Sequence, residues 1–589
     1  MPDTPDAAPD TGLVPQLSMM IGALWASKVR NTLFALGVGV FAVIALTAYG
    51  QIRLNQWNQP FYDALAHRDL DEFFTQLGVF GIIVAALLVL NVVQRWLSET
   101  LKLKLREGLV ADLVDQWLQP GRAFRLANAG PIGVNPDQRM HEDARHLTEL
   151  SGDLGVQLLQ ATILLAVFIE VLWVLSGGFV FHWQGRDFSI PGYMVWAAVA
   201  YAGAGSLLSW RVGGSLIPRN AERYQRESEL RFSLMRVNEH LDAITLAGGE
   251  KDEERRILRD LSHVLDAMWK LVTGLTNLTW VTAGYGWLTL VVPILVAAPA
   301  YFAGNLTFGG LMMAVGAFNQ VQSSLRWFVD NFSTIADWRA TLLRVASFRR
   351  AVTDCEALHP QESRIRLADG PAGRLAIEKL KIAAPSGTTM LKEDRVDIPA
   401  GSHVLVSGEP GTSETLLFRA LAGLWPWGSG TIIRPAHADI VYVPRVPYLP
   451  PGTLCEVLAY PRDPGRYSDA QCRAALARFG LDALAPLLKD HRRWDRELND
   501  DEQRGLAFAR VLLQAPDWLL VDEALDSADE SLLGQVRDVL RTDLRKTGII
   551  YIGRTDRAVR FFDQELHLIR DPHAHRLARA ADTRPVVAQ

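Results

Sequence analysis

The sequence predicts two joined folds: an α-helical domain that crosses a membrane six times, followed by an α/β domain built around a phosphate-binding turn. Three observations predict this. The chain has 589 residues, 49% of them hydrophobic, which is too long and too apolar for one soluble domain. Long apolar runs crowd its first half. In its second half the stretch Val404 to Leu417, VLVSGEPGTSETLL, reads as a strand, a glycine-bearing turn and a helix. In that order, backbone N–H groups and the helix dipole converge on a phosphate.

Residues 1–20 are read as a disordered tail: they open with Pro, Asp and Ala and have no basic start, apolar centre or cleavage site of a secretory signal. A membrane domain is expected over residues 21–345. Its six runs, each near the length of about 20 apolar residues that a crossing requires, are Leu33–Tyr49, Leu77–Val93, Val156–Leu175, Tyr193–Leu208, Trp280–Phe302 and Gly309–Phe328. The segments after the second and fourth runs carry most of the positive charge, among it Arg95, Lys102, Lys104, Arg106, Arg219, Arg223 and Arg226. The positive-inside rule puts both segments in the cytoplasm, and both termini with them. Glu170 is the only ionisable residue in the third run. It either lines a polar cavity or carries a proton, or else pairs with a polar group on a neighbouring helix.

Residues 346–372 mix charge, Pro and Gly without periodicity and are read as a linker. The α/β domain is expected over 373–570 and a C-terminal tail over 571–589. The turn follows the phosphate-loop frame G-x-x-x-x-G-K-[ST], whose lysine reaches the terminal phosphates. Here it reads Gly408, Glu409, Pro410, Gly411, Thr412, Ser413, Glu414 and Thr415, then Leu416 in the helix. The second glycine is Ser413 and the lysine is Glu414, so the charge is reversed. About a hundred residues on, the run Trp518–Val521 ends in Asp522 and Glu523. That pair suits a magnesium ion and an attacking water.

A net charge of −5 argues against nucleic acid as partner, because phosphate-rich polymers require a basic excess. Cys355, Cys455 and Cys472 have no metal-like spacing. His573 and His575 fall in the tail and are read as solvated, so no metal site is expected apart from any magnesium that accompanies a nucleotide.

The order of these segments resembles an ATP-binding-cassette (ABC) domain. Leu498 to Gln503 leads into Arg504–Arg510 and is similar to the signature segment and its helix. In the membrane half, Asn55–Leu65 (NQWNQPFYDAL), Asn135–Arg139, Phe318–Gln322, Leu325–Asp330 and Ala336–Ala340 resemble the bacterial uptake permeases for antimicrobial peptides, bleomycin and vitamin B12. That family is similar to the peroxisomal fatty-acyl half-transporters. Glu239 and Asp242, followed by Gly249 and Glu250, resemble the coupling-loop motif through which such transporters touch their ATPase domain.

The resemblance implies an ABC half-transporter in the inner membrane, acting as a homodimer or with a related half-transporter, using ATP and Mg²⁺ and moving a small peptide-like, cobalamin-like or other amphipathic solute through the lipid bilayer. It also implies roles at which this chain departs. The loop glutamine is Arg445. The signature Ser and Gly are Asn499 and Asp501, flanked by Asp500 and Glu502. The switch histidine is Arg554, while Asp522 and the catalytic-position Glu523 are kept. Three readings stay open: ATP-driven transport, proton-coupled transport with a non-hydrolysing scaffold domain, and a regulatory or structural membrane protein.

Overall fold

The computed structural model describes residues 12–127, 136–177, 181–183, 186–188, 190–353, 364–384, 387–410, 412–553 and 562–571. The chain divides into two compact units, Met1–Gln119 with Ile132–Thr353, and Pro120–Pro131 with Asp354–Gln589.

The first unit is helical. It contains α1 (Leu13–Ala26), α2 (Arg30–His67) and α3 (Leu70–Trp117), while the short α4 (Arg122–Ala127) falls in the second unit. A turn α5 (Pro136–Gln138) passes through a π-helical turn at Arg139–Asp143 into α6 (Ala144–Leu175). After a hairpin of β1 (Phe181–Trp183) and β2 (Arg186–Phe188) come α7 (Tyr193–Gly213), α8 (Leu216–Glu239), α9 (Leu241–Leu246), α10 (Glu250–Leu288), α11 (Val292–Phe302), α12 (Phe308–Asp330) and α13 (Phe332–Thr353). Residues 13–20, expected in a disordered tail, begin α1, because Met20 and Ala23 bury apolar surface. Of the residues expected as linker, 346–353 continue α13 and 366–370 form a strand.

Among the described residues four helices are long and apolar enough to cross a membrane: Arg30–His67, Leu70–Trp117, Pro136–Leu175 and Glu250–Phe302. This corrects the expected six. The runs at Tyr193–Leu208 and Gly309–Phe328 do form helices, α7 and α12, but neither is apolar enough. Alanine, glycine, serine and tyrosine dilute α7, and Asn319, Gln320, Gln322, Ser323 and Ser324 dilute α12. Both bury residues in one apolar cluster, which joins Ala198 of α7, Phe318 and Val321 of α12, and Leu164 and Phe168 of α6. Most of α12 is covered by protein and needs no lipid-like surface, whereas α7 buries one face and leaves Trp196, Leu207, Leu208 and Trp210 exposed on the other.

The sequence motifs of this unit tie helices together. In α2, the Asn55 amide donates to Met313 O (3.1 Å), the Trp57 indole donates to Gln76 O (2.8 Å), and Asp63 accepts from Gly309 N (2.8 Å) and Thr307 Oγ1 (2.9 Å) at the start of α12. Phe61 stacks on Trp57. Farther along the chain, Trp338 donates to Ser151 Oγ (2.9 Å), and Asp143 pairs with Arg139 (2.7 Å) and Arg344 (3.1 Å), joining α6 to α13.

The second unit is a ten-stranded sheet with helices on both faces. Its strands are β3 (Arg366–Gly370), β4 (Arg374–Ala384), β5 (Gly387–Leu391), β6 (Arg395–Pro399), β7 (His403–Gly408), β8 (Gly428–Pro435), β9 (Ile440–Val443), β12 (Trp518–Asp522), β13 (Gly548–Ile552) and β14 (Gln564–Asp571), in the order β3-β8-β4-β5-β14-β7-β13-β12-β9 with β6 on β4. A separate two-stranded sheet pairs β10 (Gly452–Thr453) with β11 (His491–Arg492). The strands from β14 to β9 are parallel, and the central β12 and β13 are buried at every residue and almost wholly apolar, as strands covered on both faces must be. Helices α14 (Glu414–Leu421), α15 (Leu454–Ala459), α16 (Asp469–Ala477), α17 (Trp494–Glu497), α18 (Asp500–Gln514) and α19 (Glu530–Thr542) complete it. One core lies around Leu506, Phe508, Leu519 and Trp494, the other around Val404, Leu417, Ile550 and Leu566.

Candidate nucleotide site

Ligands of open α/β sheets bind beyond the carboxyl ends of the parallel strands. Here those ends bring together the turn after β7 and the acids after β12, with β13 between. Gly408 closes β7 and Ser413 precedes α14, whose first residue is Glu414. The Glu414 carboxyl folds back onto the Gly408 N–H and lies against the Glu523 carboxyl. A Cβ on Gly408 would stand 2.6 Å from Glu414 Oε1, so glycine makes this fold-back possible. Burial first, then the charge of Glu523, raise the Glu414 pKa above the usual carboxylate range.

Three N–H groups of the turn are spent on the protein. Glu409 N donates to Leu568 O (3.0 Å), Thr412 N to Glu409 O (3.0 Å) and Ser413 N to Thr389 Oγ1 (3.3 Å), while Pro410 has no N–H. Gly411 lies outside the described residues. The Leu416 side chain is buried in the core beneath the sheet.

Asp522 is only 3% exposed, and its Oδ1 is buried without a hydrogen-bond partner. Burial, and next the adjacent Glu523, push its pKa up to about 6, against weaker opposing pulls from Arg419, the Thr415 hydroxyl and Arg445. Glu523 adopts a left-handed backbone (φ 46°) and donates its N–H to Ile552 O at 2.8 Å. Arg445 reaches Glu523 Oε2 at 3.4 Å. Asp526 accepts from the Tyr551 hydroxyl. Arg554 lies outside the described residues.

At the signature segment Asn499 caps α18 in a reciprocal box: Glu502 N donates to Asn499 Oδ1 and Asn499 N to Glu502 Oε2, each at 2.9 Å. Asp500 and Asp501 fill the first turn, and Asp501 pairs with Arg504 at 2.7 Å. Acids here stabilise the helix but turn an anion-attracting terminus negative. Asp529 caps α19 through Leu532 N (2.7 Å). Among the described residues, no group of three or more His, Cys, Asp or Glu is arranged to hold a metal ion.

In the first unit Glu239 ends α8, Asp242 lies in α9, Gly249 caps α10 and Glu250 begins it. This helical turn buries none of its residues, and Leu246 is 89% exposed. Glu170 is exposed on α6. Sequence reasoning missed α4, which clusters with the second unit: Leu126 is buried, and Arg419 of α14 lies 5.6 Å over the Phe124 ring. Its signal was a Pro120–Gly121 break before a short run with apolar residues at Phe124 and Leu126.

Two family models match the chain, ABC transporter transmembrane region 2 over residues 18–302 and ABC transporter over residues 391–526. The chain is therefore an ABC half-transporter, a multi-pass transmembrane region and an ABC domain on one polypeptide, in a class that moves small solutes across membranes and binds nucleotide. It is similar to the inner membrane ABC transporter ATP-binding protein YddA of Escherichia coli, at 26% identity over 92% of this chain and 95% of that protein. It is also similar to the chloroplastic ABC transporter D family member 2 of Arabidopsis thaliana, at 27% identity over 90% of this chain and 82% of that protein. A solved bacterial Atm1-family ABC exporter with ATP bound shares the fold, with a TM-score of 0.68 at 16% identity, over 92% of this chain and 94% of that one.

Proposed function

We propose that the chain dimerises, with itself or a related half-transporter, to carry a peptide-like, cobalamin-like or other amphipathic solute across the inner membrane, and that its ABC domain supports the assembly without turning over ATP. Both termini and the ABC domain are assigned to the cytoplasm, from the positive charge that follows the apolar runs Leu77–Val93 in α3 and Tyr193–Leu208 in α7.

The observation that carries the second half of this reading is the position of Glu414. A triphosphate needs open N–H donors and a cation. Instead, a carboxyl of the chain lies on the Gly408 N–H, the N–H groups of Glu409, Thr412 and Ser413 are paired within the protein, and Glu523 is paired with Arg445. In the signature segment, Asp500, Asp501 and Glu502 add negative charge where the γ-phosphate of a partner-held nucleotide would approach. The residues therefore do not fit a tightly bound Mg²⁺-ATP, and no hydrolytic step is derived through it.

A titration of the purified chain with Mg²⁺-ATP tests this. No saturable binding below millimolar nucleotide is expected, and micromolar binding would contradict it. Transport without hydrolysis requires another energy source, and Glu170 is the group assigned to proton coupling in that case.

A further inference from the structure

The polar residues of α2 that face α12 remain unexplained by the ABC domain. Asn55 fixes which face this is, because its amide donates to Met313 O of α12 at 3.1 Å. Thr47 and Gln51 lie two turns and one turn back along the same face, at i−8 and i−4. All three carry a buried oxygen with no hydrogen-bond partner: Thr47 Oγ1, Gln51 Oε1 and Asn55 Oδ1. Thr47 is 2% and Asn55 6% exposed. On α12, Asn319 Oδ1 and Ser324 Oγ are buried and unpaired as well. Unmet acceptors are costly in water-soluble cores and more so within a membrane.

Among the described residues, the hydrogen bonds between the two helices run from Asn55 to Asp63. Asp63 binds the start of α12 through Gly309 N and Thr307, and Gly316 is close enough that a Cβ there would stand 2.6 Å from Asn55 Nδ2. From Asn55 back to Thr47 the seam is closed but under-bonded. A helix pair in that condition gains hydrogen bonds when it parts and a donor enters.

We propose that this α2/α12 seam is a solute-contact surface, and that Thr47, Gln51 and Asn55 accept hydrogen bonds from the amide N–H groups of the transported molecule. This rests on the transport reading above and supplies its substrate class: amide-rich, donor-bearing and without a need for charge. The three acceptors recur about every 6 Å along α2. The N–H groups on one edge of an extended peptide recur about every 7 Å, and side-chain amides on a macrocycle can meet the same spacing.

The test uses the full-length chain in phosphatidylethanolamine–phosphatidylglycerol liposomes, with Cys355, Cys455 and Cys472 replaced by serine. Gln51→Cys is exposed to a membrane-impermeant maleimide, alone and with either cyanocobalamin or an unstructured, fluorophore-labelled ten-residue peptide. Labelling is expected, slowed at least fivefold by one of the two probes. No labelling, or labelling that neither probe slows, overturns the proposal. Uptake of the same probes is measured in parallel. Thr47→Val and Gln51→Leu are each expected to raise KM about five- to tenfold with little change in kcat, as the loss of one hydrogen bond implies, while Thr47→Ser retains the original KM. Normal uptake kinetics in both variants overturns the seam and leaves the transport reading standing. Probe protection without any uptake overturns the transport reading and leaves the seam standing.

Discussion

Replacing Glu414 with lysine changes the sign of the one charge that the phosphate-loop frame places against the terminal phosphates. At about 4 Å and an effective dielectric near 20, a single pair of unit charges is worth ~4 kcal/mol, so converting repulsion to attraction changes the pair by roughly 8 kcal/mol. Glu414 is half-buried, and screening with side-chain relaxation reduces the figure. A third of it, ~3 kcal/mol, still corresponds to about a hundredfold in affinity. The lysine would also leave the Gly408 N–H, which the Glu414 carboxyl now occupies, and would face the acids Asp522 and Glu523. Equilibrium titration of the detergent-solubilised full-length protein with a fluorescent ATP analogue and Mg²⁺ reads this directly. Binding of Glu414→Lys is expected to tighten about a hundredfold, with turnover still at background because Arg445, Asp501 and Arg554 are unchanged. Equal affinity in the two proteins would refute the electrostatic reasoning. Brisk hydrolysis by the single variant would refute the assignment of further defects to those three residues.

Three other outcomes are expected. Asp522 has its pKa raised in the folded state from 3.8 to about 6, so the native protein binds the extra proton more tightly than the unfolded chain and this group's contribution is lost as pH rises through about 4 to 6. Asp522→Asn should therefore raise the free energy of unfolding more at pH 7.5 than at pH 4.5, by up to ~3 kcal/mol at the higher pH for a two-unit shift, and the same gain at both values would contradict it. Leu506 is fully buried beside Phe508 and Leu519, so Leu506→Ala should cost about 2–5 kcal/mol in chemical denaturation of the ABC domain, and a loss below 1 kcal/mol would show that the core closes over the gap. If uptake is proton-coupled, Glu170→Gln should abolish its pH dependence, and an unchanged pH profile would leave Glu170 with its other reading, pairing with a polar group on a neighbouring helix.

The α/β half was legible because its signals are local. An apolar strand, a glycine-bearing turn and a helix must be contiguous, as in Val404–Leu417, and the apolar run Trp518–Val521 forms the strand expected of it. The membrane half was less legible because hydropathy reads lipid-facing surface. In α12 Gln322 and Ser324 are buried and Asn319 and Gln320 partly so, and the run from Gly309 to Phe328 is helical without being apolar enough to count as a span. The fold-back of Glu414 could not be read either. The sequence gives its charge, but only the geometry brings that carboxyl to Gly408 and Glu523. Arg445 and Glu523 are far apart in sequence and meet because β9 and β12 are neighbours. The helix α4 escaped notice for the same reason, since six residues carry too little periodicity to declare a docking surface.

The central claim is that this half-transporter has an ABC domain that does not turn over ATP. Each composite site of an ABC dimer takes its phosphate loop from one subunit and its signature from the other, and here both carry extra negative charge. The most direct measurement is steady-state phosphate release from Mg²⁺-ATP by the purified full-length protein in liposomes, alongside Glu523→Gln. Both are predicted to stay at the background of empty liposomes. Steady hydrolysis by the unaltered protein that disappears in Glu523→Gln would contradict the account, since it would mean that backbone N–H groups and the α14 dipole hold the triphosphate without a lysine.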